Sequence, residues 1–353
     1  MSKIEFKRLR LDEWPAQDRK LWLKSRERHD MFDEQGFAAD WRPATVTGVE
    51  KGYGTYVAWL AQANALLPDE TPMSRATKPR IDAFLNAYSP GRAEATIAST
   101  IRHVAYMVRA CHPPHGHEWL TQMAHRMTNL ATPSRPKAPR MATLTELLDL
   151  GNRLMDEGKK LLTKGQSQGA WLFRDGLLIS MLIAHPLRRR NIAAMKLEKT
   201  VLIDEGGVHV HFAGHETKTR NSISFSYPAW LTEPFVFYLE HVRPRLLEKS
   251  SGDDNGHIWI GRRGRPMPEN DITQATGRRT VEYLGRRVSP HLFRDCVATG
   301  IATLDPKHVG ITSTVLDHAN LASSQKYYNQ ATGFGALNRY QSVLGKIRQK
   351  GHP

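Results

Sequence analysis

The sequence predicts a mainly α-helical protein with one small antiparallel β-sheet, divided into an all-helical N-terminal part and an α+β C-terminal part. Three observations lead there. Through most of the chain, apolar residues recur at the three-and-four spacing of amphipathic helices. Between Val201 and Tyr227 that period shortens to two, as in half-buried strands. And Ala131–Arg140, Ala-Thr-Pro-Ser-Arg-Pro-Lys-Ala-Pro-Arg, holds three prolines and three basic residues with almost nothing to bury, the composition of an extended, semi-rigid linker. The 353 residues suit about two domains. We read a charged arm over 1–44, a helical domain over 45–130, a linker over 131–142 and a second domain over 143–353.

In the first domain, Val46, Val49, Tyr53, Tyr56, Val57 and Leu60 mark a helix over Thr45–Ala63, and the pattern repeats over Ile81–Tyr88 and Glu94–Cys111. The last of these presents Arg102 and Arg109 beside a stripe of Ile97, Ile101, Val104 and Met107. Residues before Trp41 mix tryptophans with charges and show no clear period. After the linker, Thr143-x-x-Glu146 is a capping box that opens a helix over Thr143–Leu162. Further helices are expected at Gly169–Ala184, Arg189–Lys196, Ala229–Glu248, Asn270–Leu284 and His291–Leu304. Val208, Val210 and Phe212 alternate with His209 and His211, and Ile223 and Phe225 with serines. That predicts a hairpin whose tip, Gly214–Asn221, carries Lys218 and Arg220.

Charge narrows the function. Fifty Lys and Arg against 35 Asp and Glu give a net +15, a field that favours a polyanionic partner, either nucleic acid or an anionic membrane face. The two cysteines, Cys111 and Cys296, cannot build a disulfide framework and suit a reducing compartment. The longest apolar run, Gly176–Ala184, is half of the ~18 residues a membrane span needs. The opening Met-Ser-Lys-Ile-Glu-Phe-Lys-Arg-Leu-Arg is basic without an apolar segment behind it, so no secretory signal is expected. Cys111, His112, His115 and His117 lie in a Pro- and Gly-containing turn, and no second ligand pair follows at finger spacing. We expect a surface loop there and no metal.

If the polyanion is DNA, breaking its backbone without a metal requires a nucleophile, positive charge on the non-bridging oxygens and a proton for the leaving 5′-oxygen. Arg suits the oxygens, because its planar fork donates two parallel hydrogen bonds and keeps its charge. The leaving alkoxide is a strong base and needs a general acid. A Tyr phenol, with a pKa of ~10, becomes a nucleophile once cationic neighbours or a base draw off its proton. The C-terminal part holds such groups in order. Pro186-Leu187-Arg188-Arg189-Arg190-Asn191 lies at a helix start, where backbone N–H groups also favour phosphate. Lys218 sits on the hairpin tip, with Lys196, Lys199 and Arg220 as nearby alternatives. His291 and Arg294 share one face at the head of a helix. Val315-Leu316-Asp317-His318 follows, and Tyr327, with Tyr328 beside it, comes nine residues after His318.

This ordered set resembles the tyrosine recombinase (phage integrase) family, over the chain from about Thr143 onward. The family's Gly-Leu-Arg-x-x-Glu-Leu box is similar to Pro186–Ile192, its hairpin lysine to Lys218, its His-x-x-Arg box to His291 and Arg294, its Leu-Gly-His segment to Leu316-Asp317-His318, and its tyrosine to Tyr327. Three positions depart from the pattern: Asn191 stands where an acidic residue is usual, Asp317 replaces Gly, and Asp295 follows the second Arg where His is common. The resemblance implies that Arg188 and Arg294 hold the scissile phosphate, Lys218 protonates the leaving oxygen and His291 assists proton transfer. It further implies that His318 hydrogen-bonds a phosphate oxygen and that Tyr327 forms a 3′-phosphotyrosine. It also implies a two-domain C-shaped clamp on double-stranded DNA, the N-terminal helices being the core-binding half.

The expected protein is a site-specific recombinase that integrates or excises a mobile element, with no cofactor, located in the cytoplasm with the nucleoid. A homo-tetramer on DNA would form through the C-terminal helix Gly335–Lys350, whose Leu337, Tyr340, Val343, Leu344 and Ile347 make one stripe; intramolecular packing of that helix is the alternative. Accessory DNA-bending proteins are possible partners, and no membrane is. Arg102, Arg109, Arg189, Arg190, Arg220, Arg262 and Arg263 are read as DNA-backbone contacts. Two other functions remain open: a type IB topoisomerase, and a non-catalytic DNA-binding regulator on the same fold.

Overall fold

The computed structural model describes residues 7–28, 34–111, 117–132, 134, 136–217, 221–248 and 254–304, with the side chains of Arg262 and Leu304 left out. The chain separates into two compact units that meet between Pro136 and Lys137.

The first unit is helical: α1 (Ala16–Lys24), α2 (Pro43–Gln62), α3 (Pro72–Arg75), α4 (Lys78–Tyr88), α5 (Glu94–Cys111) and α6 (Glu118–Leu130). Its core joins Val49, Tyr53, Tyr56 and Leu60 of α2 to Ile101, Val104 and Met107 of α5 and Leu120 of α6. Trp14 and Trp22, in the segment read as an arm, are buried in this core. The sequence hid this because α1 buries a charge. Asp18 and Trp22 lie one turn apart on the inward face and both are fully buried. Asp18 accepts a hydrogen bond from the Tyr53 hydroxyl at 2.6 Å and one from Arg75 Nε at 3.1 Å.

Arg75 is itself fully buried and also donates to the Glu70 carbonyl at 2.8 Å. Burial raises the Asp18 carboxyl above the usual carboxylate range, against the pull of Tyr53 and Arg75. Removing one partner of such a pair strands the other charge in a low-dielectric interior. Arg75→Met is therefore expected to cost about 3–5 kcal/mol, read as lost amide-exchange protection across α1 and α2. Leu9 docks further along α2, its N–H on the Gly54 carbonyl at 3.2 Å. Any Cβ at position 54 would overlap the Leu9 carbonyl oxygen.

The second unit opens with α7 (Leu144–Thr163) and α8 (Gln168–Ala184). The capping box forms as the sequence predicts: Thr143 Oγ1 accepts from the Glu146 N–H at 3.2 Å, and Glu146 Oε2 accepts from the Thr143 N–H at 2.8 Å. A third partner, Arg286, donates to Glu146 at 2.6 Å and holds its carboxyl below the usual range. Helices α7 and α8 approach closely through glycines. A Cβ at Gly176 would lie 2.7 Å from the Gly151 carbonyl oxygen, and one at Gly158 2.6 Å from the Phe173 nitrogen. On α8 every residue from Phe173 to Leu182 is buried.

After α9 (Arg189–Ala193) comes the sheet, in the order β1 (Val201–Asp204), β2 (Gly207–Phe212), β3 (Ile223–Ser226), antiparallel throughout. Val210 pairs with Val201 on one side and Phe225 on the other. The alternation in β2 buries Val208, Val210 and Phe212 as expected, while β1 adds a strand to the hairpin.

The single helix expected over Ala229–Glu248 is broken into a 3-10 turn at Ala229–Leu231, α10 (Thr232–Phe237), a π turn at Tyr238–Val242 and α11 (Arg243–Leu247). Pro244 has no N–H to give the carbonyl one turn back, so the ladder re-registers ahead of it. Helices α12 (Glu269–Leu284) and α13 (Pro290–Leu304) complete the described chain.

Candidate active site

Helix α8 delivers the first arginine. It ends at His185, whose backbone is extended (φ −147°, ψ 106°), because the residue before a proline is disfavoured in the helical region. Pro186 and Leu187 are buried, and Arg188 follows as the half-buried N-terminal cap of α9 (φ −65°, ψ 141°). The second arginine comes from α13. Arg294, 8% exposed, donates from Nη1 to the Pro186 carbonyl at 2.6 Å. One hydrogen bond thus ties the His291–Arg294 box to the turn that carries Arg188, two segments more than a hundred residues apart in the chain. His291 lies one turn before Arg294 on α13 and is exposed.

The sheet meets the same turn. The His185 ring stacks on Phe225 of β3, centroids 3.6 Å apart and planes inclined by 16°. At the other end of the hairpin, Thr217 Oγ1 donates to the Asn221 carbonyl at 2.8 Å. That bond closes the two ends of the segment holding Lys218 and Arg220, which themselves lie outside the described residues, as do His318, Tyr327 and the helix expected over Gly335–Lys350. Two of the departures from the family pattern are described. Asn191 is 3% exposed on α9. Asp295 is 2% exposed, and Lys137 reaches both its carboxylate oxygens, at 3.0 and 2.8 Å; periodicity and motif spacing gave no sign of this pair, because 158 residues separate its members.

Among the described tyrosines of this unit, none is prepared as a nucleophile. Tyr227 is raised by burial, and Tyr238 and Tyr283 are each pushed up to about 12, burial being the largest cause in both. A phenol that attacks phosphorus needs the opposite shift.

The basic residues read as DNA contacts are dispersed. Arg189 pairs with Glu269 at 3.0 Å, and Arg190 is exposed. Arg263 is exposed in a turn where its φ is +63°; Arg262 precedes it. In the first unit, Arg102 is half-buried and donates to Ser99 at 3.3 Å, while Arg109 is exposed with its guanidinium 5.1 Å from the Phe37 ring centre. Cys111 is a half-buried free thiol pushed up to about 12 by burial. His112 and His115 lie outside the described residues, and His117 contacts the Met73 carbonyl at 3.1 Å.

No protein-family model matches the chain. A putative tyrosine recombinase XerC from Pseudomonas syringae is 22% identical over 125 residues, which is 35% of this chain and 26% of that protein. The chain thus spans about a quarter of the length of this curated relative. Two solved structures of the XerH site-specific recombinase are similar over most of the chain. The pre-cleavage complex with difH substrate has a TM-score of 0.55 and 14% identity, covering 80% of this chain and 76% of that one. The post-cleavage complex with palindromic difH has a TM-score of 0.57 and 13% identity, covering 91% and 95%. The mainly helical chain with its three-stranded antiparallel sheet therefore has the fold of a DNA recombinase. That fold and the curated relative support the tyrosine recombinase family read from the motif order.

Proposed function

We propose that this protein is a site-specific recombinase that cuts and rejoins double-stranded DNA through a covalent 3′-phosphotyrosine, integrating or excising a mobile element. The observation that carries the reading is the Arg294–Pro186 hydrogen bond, which brings the second arginine to the turn of the first. Two guanidiniums facing one phosphate would neutralise both non-bridging oxygens as negative charge grows in the transition state. The Tyr327 oxygen attacks phosphorus, the bond to the 5′-oxygen breaks, and Lys218 gives that oxygen its proton, with His291 assisting and His318 on a phosphate oxygen. The ester retains the bond energy, so the free 5′-hydroxyl of a second strand can reverse the step without ATP.

Both units would contact the duplex, with Arg102, Arg109, Arg189, Arg190, Arg220, Arg262 and Arg263 on the DNA backbone. Four protomers would assemble on two sites through exchange of the helix at Gly335–Lys350. The test is a nicked duplex carrying the attachment site from DNA flanking the gene. An adduct that survives SDS is expected. Tight binding with no adduct would leave a DNA-binding regulator, and relaxation of any supercoiled plasmid by the monomer would favour a topoisomerase.

A further inference from the structure

Asp295 is buried beside a residue that must keep its positive charge available. On α13 it directly follows Arg294, and only 3% of its side chain is exposed. A carboxylate in so low a dielectric acts strongly on the charges around it, and its neighbour in sequence is Arg294, proposed to hold the phosphate. The structure supplies a counter-charge from elsewhere. Lys137, the first residue of the second unit, places its ammonium 2.8 and 3.0 Å from the two Asp295 oxygens. Its own side chain is half exposed, so the pair runs from the surface to a buried carboxylate on α13. The Lys137 backbone caps a short 3-10 turn, Ala138–Arg140, directly before α7, and the Arg286 side chain fixes the end of that turn through the Met141 carbonyl at 2.9 Å.

We propose that Lys137 and Asp295 form a positioning pair for Arg294. The ammonium takes up the field of the buried carboxylate, so that Arg294 keeps its bond to Pro186 and its charge for the incoming phosphate. This rests on the recombinase reading above. It also accounts for the departure at position 295: an acidic residue is tolerated beside the second arginine because the linker end supplies a lysine.

The experiment compares single-turnover cleavage of a nicked duplex by the full-length wild type, Lys137→Met and the double variant Lys137→Met/Asp295→Asn. The scissile group is either a normal phosphodiester or a methylphosphonate, which carries no charge for an arginine to neutralise. A wild type that forms no adduct on the phosphodiester refutes the recombinase reading itself. With the adduct established, Lys137→Met is expected to cleave the phosphodiester about thirtyfold more slowly at saturating DNA, a loss of the size expected from a small misplacement. Its affinity for intact duplex should stay within about threefold, since a single rim charge contributes little to binding.

On the methylphosphonate the defect of Lys137→Met should shrink to about threefold or less, because an uncharged methyl replaces one non-bridging oxygen and less negative charge faces Arg294 at every stage of the reaction. The double variant, with neither charge, should recover most of the lost rate. Equal losses on both substrates, wild-type cleavage by Lys137→Met, or a double variant as slow as the single would each overturn the positioning role.

Discussion

Tyr327→Phe is expected to abolish the SDS-stable adduct while leaving DNA binding intact. Phenylalanine keeps the ring and removes only the oxygen proposed to bond to phosphorus. The neighbouring Tyr328→Phe should retain the adduct. The expectation draws on the nine-residue interval from His318 to Tyr327, and it is supported from the other direction by the tyrosines the fold holds back. Tyr227 and Tyr238 are buried, and Tyr238 donates to the Ile258 carbonyl at 2.8 Å. Tyr283 donates to Glu157 at 2.7 Å, and all three are shifted away from ionisation. Denaturing gels of the two variants on nicked duplex decide the matter. An adduct that survives Tyr327→Phe and disappears with Tyr328→Phe would move the nucleophile by one residue.

Arg294→Ala should slow cleavage by about 10²–10³-fold, the usual loss when one charge-stabilising donor is removed from a transition state. Affinity for uncut DNA should change much less, because the negative charge that Arg294 answers develops chiefly during reaction. Arg294→Lys is expected to recover little. A lysine is a point charge without the planar fork, and it cannot both reach the Pro186 carbonyl and present parallel donors to a phosphate. Single-turnover rates beside equilibrium binding separate the two effects. A proportional loss of both would instead mean that Arg294 serves binding.

The helices that were legible in the sequence are those whose burial follows a simple period. Glu94–Cys111 has the expected bounds, and the Thr143 capping box forms with its Glu146 partner. Helix α1 was illegible because its inward face carries Asp18, a residue that pattern reading assigns to water, and the guanidinium that makes this burial tolerable is 57 residues away. The break before Arg243 was signalled by Pro244, but helical periodicity on both sides masked it.

For the proposed site, the motif order supplied the candidates Arg188, His291 and Arg294. What it could not supply were contacts between distant segments. The stack of His185 on Phe225, the bond from Arg294 to Pro186 and the pair of Lys137 with Asp295 each join residues dozens of positions apart or more. Spacing rules do not reach that far.

One acceptor for Arg294 is the main-chain oxygen of Pro186, and this bears on how such a site tolerates drift. A side-chain anchor is lost in one codon change; the oxygen of residue 186 persists whatever side chain is written there. It stays in reach as long as the chain leaves α8 in the same direction, and α8 is held in place by the buried run from Phe173 to Leu182. Substitutions deep in the hydrophobic interior, remote from any reacting atom, should therefore show up as changes in catalytic rate before they show up as changes in which DNA sequence is chosen.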